Sequence, residues 1–138
     1  MDIQIRTHVS LRLFGADLDP DEITKELGIT ADNSYRNGEI TGTKTQVRRK
    51  TGYWSVSSSE RMDELADTSA HLQWIIDIVD SRKAIFNSYR ARGWKIDVWL
   101  GIHTSEGHGG PTIPSSIIRA LGAIDLDVNL DLYPNEGV

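Results

Sequence analysis

Residues 94–103 restrict the fold of this chain more than any other stretch, because apolar and polar side chains alternate along them. On an extended strand, successive side chains point to opposite faces of the sheet. The side chains of one face are all apolar: Trp94, Ile96, Val98, Leu100 and Ile102. Those of the other face are mostly polar, with one large aromatic ring in the middle: Lys95, Asp97, Trp99, Gly101 and His103. The pattern predicts a strand that buries one face in a core and leaves the other open.

Residues 7–15, 53–57 and 124–133 alternate in the same way and are predicted to be strands of the same sheet. In the last of these stretches the side chains predicted to point inward are Ile124, Leu126, Val128, Leu130 and Leu132. A further strand is expected at residues 43–49. The turn between it and the next strand is expected at residues 50–52, where Gly52 can supply a positive φ.

The remaining segments are predicted to be helices and loops. Asp19 and Pro20 are typical of a helix N-terminus, and Gly28 is typical of a helix end. Apolar residues at helical spacing run through residues 65–92, with an interruption at Asp80 and Ser81, where Ser81 is a candidate N-cap for a second helix. Pro114 is predicted to begin a last helix that Gly122 ends, and residues 29–42 and 104–113 are predicted to be loops.

The predicted element order is therefore β-α-β-β-α-β-α-β, in a single globular domain spanning residues 1–138. Its first six elements follow the ferredoxin-like order, with an added helix and strand at the end. Strands covered on both faces would be apolar throughout, and these are not. The sequence thus predicts an α+β fold, a mixed sheet with helices mainly on one face.

Composition excludes several classes of function. The net charge of −5 argues against a protein that binds nucleic acid through a basic surface. The absence of cysteine excludes disulfides, thiol catalysis and cysteine-based zinc sites. No apolar run approaches the ~20 residues of a membrane span, and the first residues lack the apolar segment of a signal peptide. We therefore expect a cytoplasmic domain without a membrane partner.

Short segments spread over nearly the whole chain carry a family resemblance. They are Asp19-Pro20, Ile23 with Leu27-Gly28, Arg36-Asn37-Gly38, residues 53–58, His71-Leu72, Leu121-Gly122 and Asp131-Leu132-Tyr133. In their order and spacing the chain resembles a bacterial family, domain-of-unknown-function family four-two-seven-nine, although Thr30 stands where a proline is expected. The resemblance implies a small stand-alone domain of strands and helices and brings no established catalytic residues. It also implies a place among small bacterial defence or immunity-type proteins.

Two groups of residues have side chains of metal-ligating types. Asp125, Asp127 and Asp131 alternate along the last predicted strand, ~6.6–7 Å apart between nearest members, and a solvated strand face explains them better than a cation site. His103, Glu106 and His108 are zinc-ligand types without the spacing of a known motif. The glycines at 107, 109 and 110 lack the lysine of a phosphate-binding loop. No metal and no cofactor is predicted.

A short basic run at residues 48–50 leads into Tyr53 on the third predicted strand. RNA-recognition domains carry their aromatic platform on that strand of a ferredoxin-like sheet. Here Tyr53 is followed on its face by Ser55 and Ser57, so the likeness is partial. RNA binding remains an alternative that the acidic composition disfavours.

The predicted open face gathers side chains of the types that dominate protein interfaces: Arg12, Tyr53, Lys95, Trp99 and His103. Either the segment 29–42 or another loop folds over this face and buries Trp99, or the face binds a partner protein or a second copy of the chain. No Ser–His–Asp triad or pair of carboxylates is evident, so catalysis is disfavoured. The sequence favours a non-enzymatic protein-interaction module, with a small-ligand or RNA-binding domain that uses the same face as the alternative.

Overall fold

A computed structural model describes residues 3–133 and places the alternating residues 94–103 inside a five-stranded sheet. The strands in this part of the chain are β1 (Ile5–Gly15), β2 (Asn33–Tyr35), β3 (Ile40–Thr41), β4 (Val47–Arg48), β5 (Gly52–Ser57), β6 (Lys95–Thr104) and β7 (Asp127–Tyr133). The helices are α1 (Pro20–Leu27), α2 (Thr68–Asp80), α3 (Lys83–Ala91) and α4 (Ser115–Ala123).

The main sheet has the strand order β2-β5-β1-β6-β7. β1 pairs antiparallel with β5 and β6, β2 pairs antiparallel with β5, and β7 runs parallel to β6. The part β6-β1-β5-β2 is a ferredoxin-like sheet, to which α4 and β7 are added. The predicted α+β class with a mixed sheet is confirmed, while β3 and β4 form a separate ribbon.

Alternation in β1 and β5 decides which face of the sheet is buried. Val9, Leu11 and Leu13 are fully buried, whereas the residues between them are partly exposed. On β5, Trp54 is fully buried and its indole nitrogen donates to Thr24 Oγ1 in α1 at 3.0 Å. The helices and the apolar strand faces thus form one core, and the polar faces of the strands remain outside it.

The hairpin predicted at residues 43–57 is wrong. β4 is two residues long and pairs with β3, and β5 instead pairs with β1 and β2. The predicted loop 29–42 contains β2, which adds a strand to the edge of the sheet. Strands of two or three residues are too short for alternation to reveal them, so the sequence pattern could not place them.

The helix boundaries also differ from the prediction at two residues. Ser81 is the C-cap of α2 and not the N-cap of α3, because its hydroxyl donates to the Asp77 carbonyl at 2.8 Å. Gly122 lies inside α4, whose last residue is Ala123 and whose C-cap is Ile124, and the chain turns at Asp125 with a φ of 54°. Asp125 therefore precedes β7, and the predicted row of three strand carboxylates is reduced to Asp127 and Asp131.

The apolar side of β7 is only partly covered, which corrects the prediction that all its apolar residues point into the core. Ile124 and Leu126 are buried before the strand begins, but Leu130 is 61% and Leu132 is 69% exposed. β7 is the last strand of the sheet, and α2 packs on the central strand β1 while α4 packs on α2. The helical layer thus leaves the far half of this edge strand uncovered.

Replacing Gly52 with alanine is expected to lower the free energy of unfolding by about 2 kcal/mol, because added atoms in a packed core force backbone shifts. A Cβ at Gly52, which pairs with Gly15, would overlap the Leu18 carbonyl oxygen. Close approach, and not the positive φ predicted for a turn, is what requires glycine here. Urea denaturation followed by tryptophan fluorescence measures the loss. Gly110→Ala, where the added Cβ has open space, serves as the control and should change the stability little.

Candidate functional site

The five residues predicted for the open face lie together on it: Arg12 on β1, Tyr53 on β5, and Lys95, Trp99 and His103 on β6. Arg12 alternates with the buried Leu11 and Leu13, which places its side chain opposite the core. The register sets Arg12 beside Asp97, and Tyr53 beside Phe14. The structure therefore brings side chains from three strands onto one surface.

A buried ion pair lies at the centre of this surface. Arg12 donates through Nε and Nη2 to the two carboxylate oxygens of Asp97, at 2.8 and 2.9 Å. Asp97 is fully buried, and Asn129 Nδ2 on β7 donates to the same carboxylate at 2.9 Å. Lys95 Nζ lies 3.9 Å from it but stays largely exposed. A bidentate pair of this kind holds the guanidinium plane in one orientation.

The guanidinium of Arg12 also contacts two aromatic rings. Its central carbon lies 4.5 Å from the Trp99 ring centre and 5.1 Å from the Phe14 ring centre. Cation–π contacts at such distances stabilise by about 0.5–1 kcal/mol at exposed sites. Trp99 is thereby held against the sheet while it remains partly exposed.

Beyond Phe14, ring contacts continue to the β2 edge of the sheet. The Phe14 and Tyr53 ring centres are 4.9 Å apart, and Tyr53 and Tyr35 stack with centres 5.0 Å apart. The Arg49 guanidinium lies 4.5 Å from the centre of Tyr35. Burial raises the pKa of Tyr53, so its hydroxyl remains a neutral hydrogen-bonding group at physiological pH.

On the other side of Trp99, ring contacts reach the β7 edge. Tyr133 and His103 stack with their planes 2° apart and their centres 4.0 Å apart, and His8 lies 5.7 Å from His103. His8 rests on Gly101, where any Cβ would overlap its ring. Burial and the neighbouring His103 lower the pKa of His8. Hydrogen bonding to Asp131 raises the pKa of Tyr133, and the neighbouring Trp99 side chain partly opposes this shift.

These contacts form one continuous row across all five strands, which we call the ring band. Its members are Tyr35, Tyr53, Phe14, Arg12, Trp99, Tyr133, His103 and His8. Each of them is partly exposed. The band therefore leaves part of each of these side chains open to solvent along the whole width of the sheet.

The segment 29–42 extends the sheet at its edge. Its Tyr35 joins the ring band beside Tyr53, while Trp99 lies three strands away from β2 and stays partly exposed. Of the two arrangements predicted for this segment, burial of Trp99 under a loop is thus the wrong one. The open face is a surface of the folded domain.

The family described as Domain of unknown function (DUF4279) matches residues 4–135, which is most of the chain. The chain belongs to this family. The resemblance predicted from the short segments is thereby confirmed. Neither a curated protein nor a solved structure matches the chain.

Sequence reasoning missed half of the ring band of this DUF4279 domain. Phe14 and Tyr133 stand on the correct faces of predicted strands, so their alternation was an available signal. Tyr35 lies in a segment predicted to be a loop, and no pattern indicated its position. His8 became part of the band only because residue 101, opposite it on β6, has no side chain.

A serine and a histidine also meet inside the DUF4279 domain, away from the open face. His71 Nδ1 lies 2.7 Å from Ser58 Oγ, and Nε2 lies 3.0 Å from the Asp63 carbonyl oxygen. Because a carbonyl oxygen can only accept a hydrogen bond, Nε2 of His71 carries the proton, and Nδ1 accepts a hydrogen bond from the Ser58 hydroxyl. The Ser58 oxygen in turn accepts a hydrogen bond from the Val9 amide. Ser58 and His71 are both fully buried, so the pair serves packing and not nucleophilic catalysis.

Two cavities lie at one end of the described part of the domain. One of about 660 Å³ lies on the helix side and is lined by residues that include Ile5, Leu65 and Pro114. The other, of about 170 Å³, lies between His8, His103 and Glu64. Ligand pockets of drug-sized molecules measure about 300–1,000 Å³, so the cavity beside the ring band is small for such a ligand.

Within residues 3–133, no group of three or more histidine, aspartate and glutamate side chains is arranged to hold a metal ion. His103 stacks on Tyr133 in the ring band. No helix in this part of the DUF4279 domain is long and apolar enough to cross a membrane.

Proposed function

We propose that this domain is a non-enzymatic protein-interaction module that binds a partner protein through the open face of its sheet, with Trp99 near the centre of the contact. The observation that carries the proposal is the ring band, which crosses all five strands and is covered by none of the helices between residues 3 and 133. Tyr, Trp and Arg are the side chains that contribute most to binding in protein interfaces.

The rigidity of the ring band supports a protein partner. The buried Asp97 carboxylate orients Arg12, and Arg12 in turn holds Trp99. Side chains that are ordered before binding lose little conformational entropy in the complex, which raises affinity. The Arg49 guanidinium places positive charge at the β2 end of the band, and the exposed Lys95 adds positive charge on β6. We therefore expect a partner that presents acidic side chains to that end.

The contacts among the rings disfavour base stacking. Tyr35 is engaged by Tyr53 and Arg49, and His103 and Tyr133 are stacked on each other. Single-stranded nucleic acid is bound by rings whose faces are free to receive bases. Ring edges and hydroxyl groups, in contrast, suit the mixed apolar and polar contacts of a protein interface.

Single-stranded RNA is the second candidate ligand. Phe14 and Tyr53 lie side by side on the first and third strands of the ferredoxin-like core, where RNA-recognition domains carry their aromatic platform. An immunity-type role, in which the open face binds a toxin in the cytoplasm, is one form of the protein-interaction proposal and follows from the family resemblance alone.

The test is affinity capture with the full chain from a lysate of the source organism, followed by quantitative mass spectrometry. A partner of the open face should be retained about tenfold less by Trp99→Ala, since truncation of a hot-spot residue costs about 2 kcal/mol or more. Ile118→Ala, an exposed residue of α4 on the helix side, is the control and should retain the partner fully.

The unfolding free energy of Trp99→Ala should fall by less than about 2 kcal/mol, because the ring is only partly buried. Equal retention of every protein by the wild type and Trp99→Ala would contradict the proposal. A gel shift of labelled single-stranded RNA at low salt that Trp99→Ala or Tyr53→Ala abolishes would favour the second candidate.

A further inference from the structure

β7 presents an unpaired edge in the described part of the chain. It is seven residues long and is the last strand of the main sheet, whereas the opposite edge strand, β2, has three residues. Natural edge strands are kept from pairing by shortness, by proline, by lysine or by a bulge. β7 has none of these four within its seven residues, although Asp127 and Asp131 add charges that also discourage edge pairing, and its Leu130 and Leu132 are exposed beside the edge.

We propose that two copies of this chain pair antiparallel through their β7 edges and form one continuous sheet. The contact is isologous, as in most homodimers, with a two-fold axis perpendicular to the sheet. That axis keeps each side chain on its own face, so it must pass midway between one residue and the copy of that residue on the other strand. The possible arrangements are therefore few and can be compared residue by residue.

The arrangement centred on Leu130 pairs all seven residues of β7. On the helix side, Leu130 lies opposite its own copy, and Leu132 lies opposite Val128 of the second copy. On the open face, Asn129 lies opposite Asp131, and Asp127 lies opposite Tyr133. Apolar side chains thus meet apolar side chains, and each carboxylate meets an uncharged amide or phenol, so no like charges are opposed.

Neighbouring arrangements place like charges in direct opposition. Centring the pair on Asn129 sets Asp127 opposite Asp131 twice, and centring it on Asp131 sets that carboxylate opposite its own copy. Like charges directly opposite each other destabilise a strand pair. The aspartates therefore disfavour the arrangements centred on Asn129 and Asp131, and of the registers without opposed like charges the one centred on Leu130 pairs the most residues of β7.

The register centred on Leu130 pairs the full strand, sets apolar against apolar side chains and opposes no like charges, which makes a second copy of this chain the occupant of this edge. The two open faces lie on the same side of the combined sheet, because the axis is perpendicular to it. The dimer uses the edge of the sheet, whereas the proposed partner uses its face, so failure of either proposal is distinguishable from failure of the other.

Analytical ultracentrifugation of the full chain over a range of concentrations tests the pairing. The wild type is expected to dimerise, and Leu130→Lys is expected to raise the dissociation constant about tenfold or more, because it removes apolar contact and opposes two like charges. Ile40→Lys changes an exposed apolar residue on the ribbon and should leave the constant unchanged. A wild type that stays monomeric at every concentration would overturn the inference.

Single cysteines test the register, since the chain contains no other cysteine. In the proposed dimer, Leu130→Cys lies opposite its copy with Cα atoms about 4.5–5.5 Å apart, a distance that a disulfide spans. Leu132→Cys lies about 13 Å from its copy, four residues along the strand. Mild oxidation should therefore link Leu130→Cys and leave Leu132→Cys unlinked. Linkage of both variants, of neither, or of Leu132→Cys alone would contradict the register.

Discussion

Replacing Arg12 with methionine is expected to lower the free energy of unfolding by about 3–5 kcal/mol, the usual loss when one partner of a buried ion pair is removed. Asp97 is fully buried, and Arg12 supplies two of the hydrogen bonds that its carboxylate receives. Asn129 still donates to Asp97 in the variant, which places the expected loss near the lower end of that range. Chemical denaturation followed by tryptophan fluorescence measures it.

Lys95→Met is the matched control for Arg12→Met. Lys95 is also a cation beside Asp97, but its nitrogen is 3.9 Å from the carboxylate and its side chain is 69% exposed. Exposed ion pairs contribute about 0.2–1 kcal/mol, so this variant should lose less than that upper value. The double replacement Arg12→Met with Asp97→Leu should recover most of the stability, because no buried charge is left. Equal losses for Arg12→Met and Lys95→Met would show that burial of Asp97 does not govern the effect.

Replacing His71 with alanine is expected to lower the free energy of unfolding by about 3 kcal/mol, since it creates a cavity and leaves buried polar groups unpaired. The imidazole is fully buried and connects Ser58 Oγ to the Asp63 carbonyl. His108→Ala, which changes an exposed histidine, should have little effect in the same thermal or urea experiment. A loss below about 1 kcal/mol for His71→Ala would contradict a stabilising role of the hydrogen bonds that join His71 to Ser58 and to the Asp63 carbonyl.

His71 should also make the stability depend on pH. Burial lowers the pKa of His71 below its ordinary value of 6.5. Below pH 6.5 the unfolded chain therefore binds a proton that the folded chain does not, and the free energy of unfolding falls as the pH falls. His71→Gln cannot bind that proton, so its stability should fall less steeply below pH 6.5. Some dependence should remain, because the pKa of His8 is lowered as well.

Much of the fold could be predicted from local patterns. Alternation in residues 94–103 and 7–15 identified the central strands, because burial on one face demands apolar residues at every second position. Asp19, Pro20 and Gly28 marked the ends of α1 correctly, since capping depends on neighbouring residues alone. The hairpin at residues 43–57 failed because strand pairing is a long-range choice that turn residues do not determine.

The open face, like the fold, could be predicted from the sequence only in part. Alternation placed Arg12, Tyr53, Lys95, Trp99 and His103 on one face, which needs only the period of a strand. It could not reveal that Asp97 is buried on that face, because its burial results from side chains on β1 and β7 that are distant along the chain. Nor could it reveal that Tyr35 extends the row of rings.

The sequence by itself determined which side of each long strand is buried, since the period of two and the hydrophobic effect act on residues close together along the chain. Only the tertiary structure decided the order of the strands, and with it every contact of the ring band. It also decided that Leu130 and Leu132, which alternate like core residues, lie exposed on an edge strand. The physical reason is that exposure of an apolar side chain depends on what packs above it, and a helix from elsewhere in the chain either reaches that position or does not.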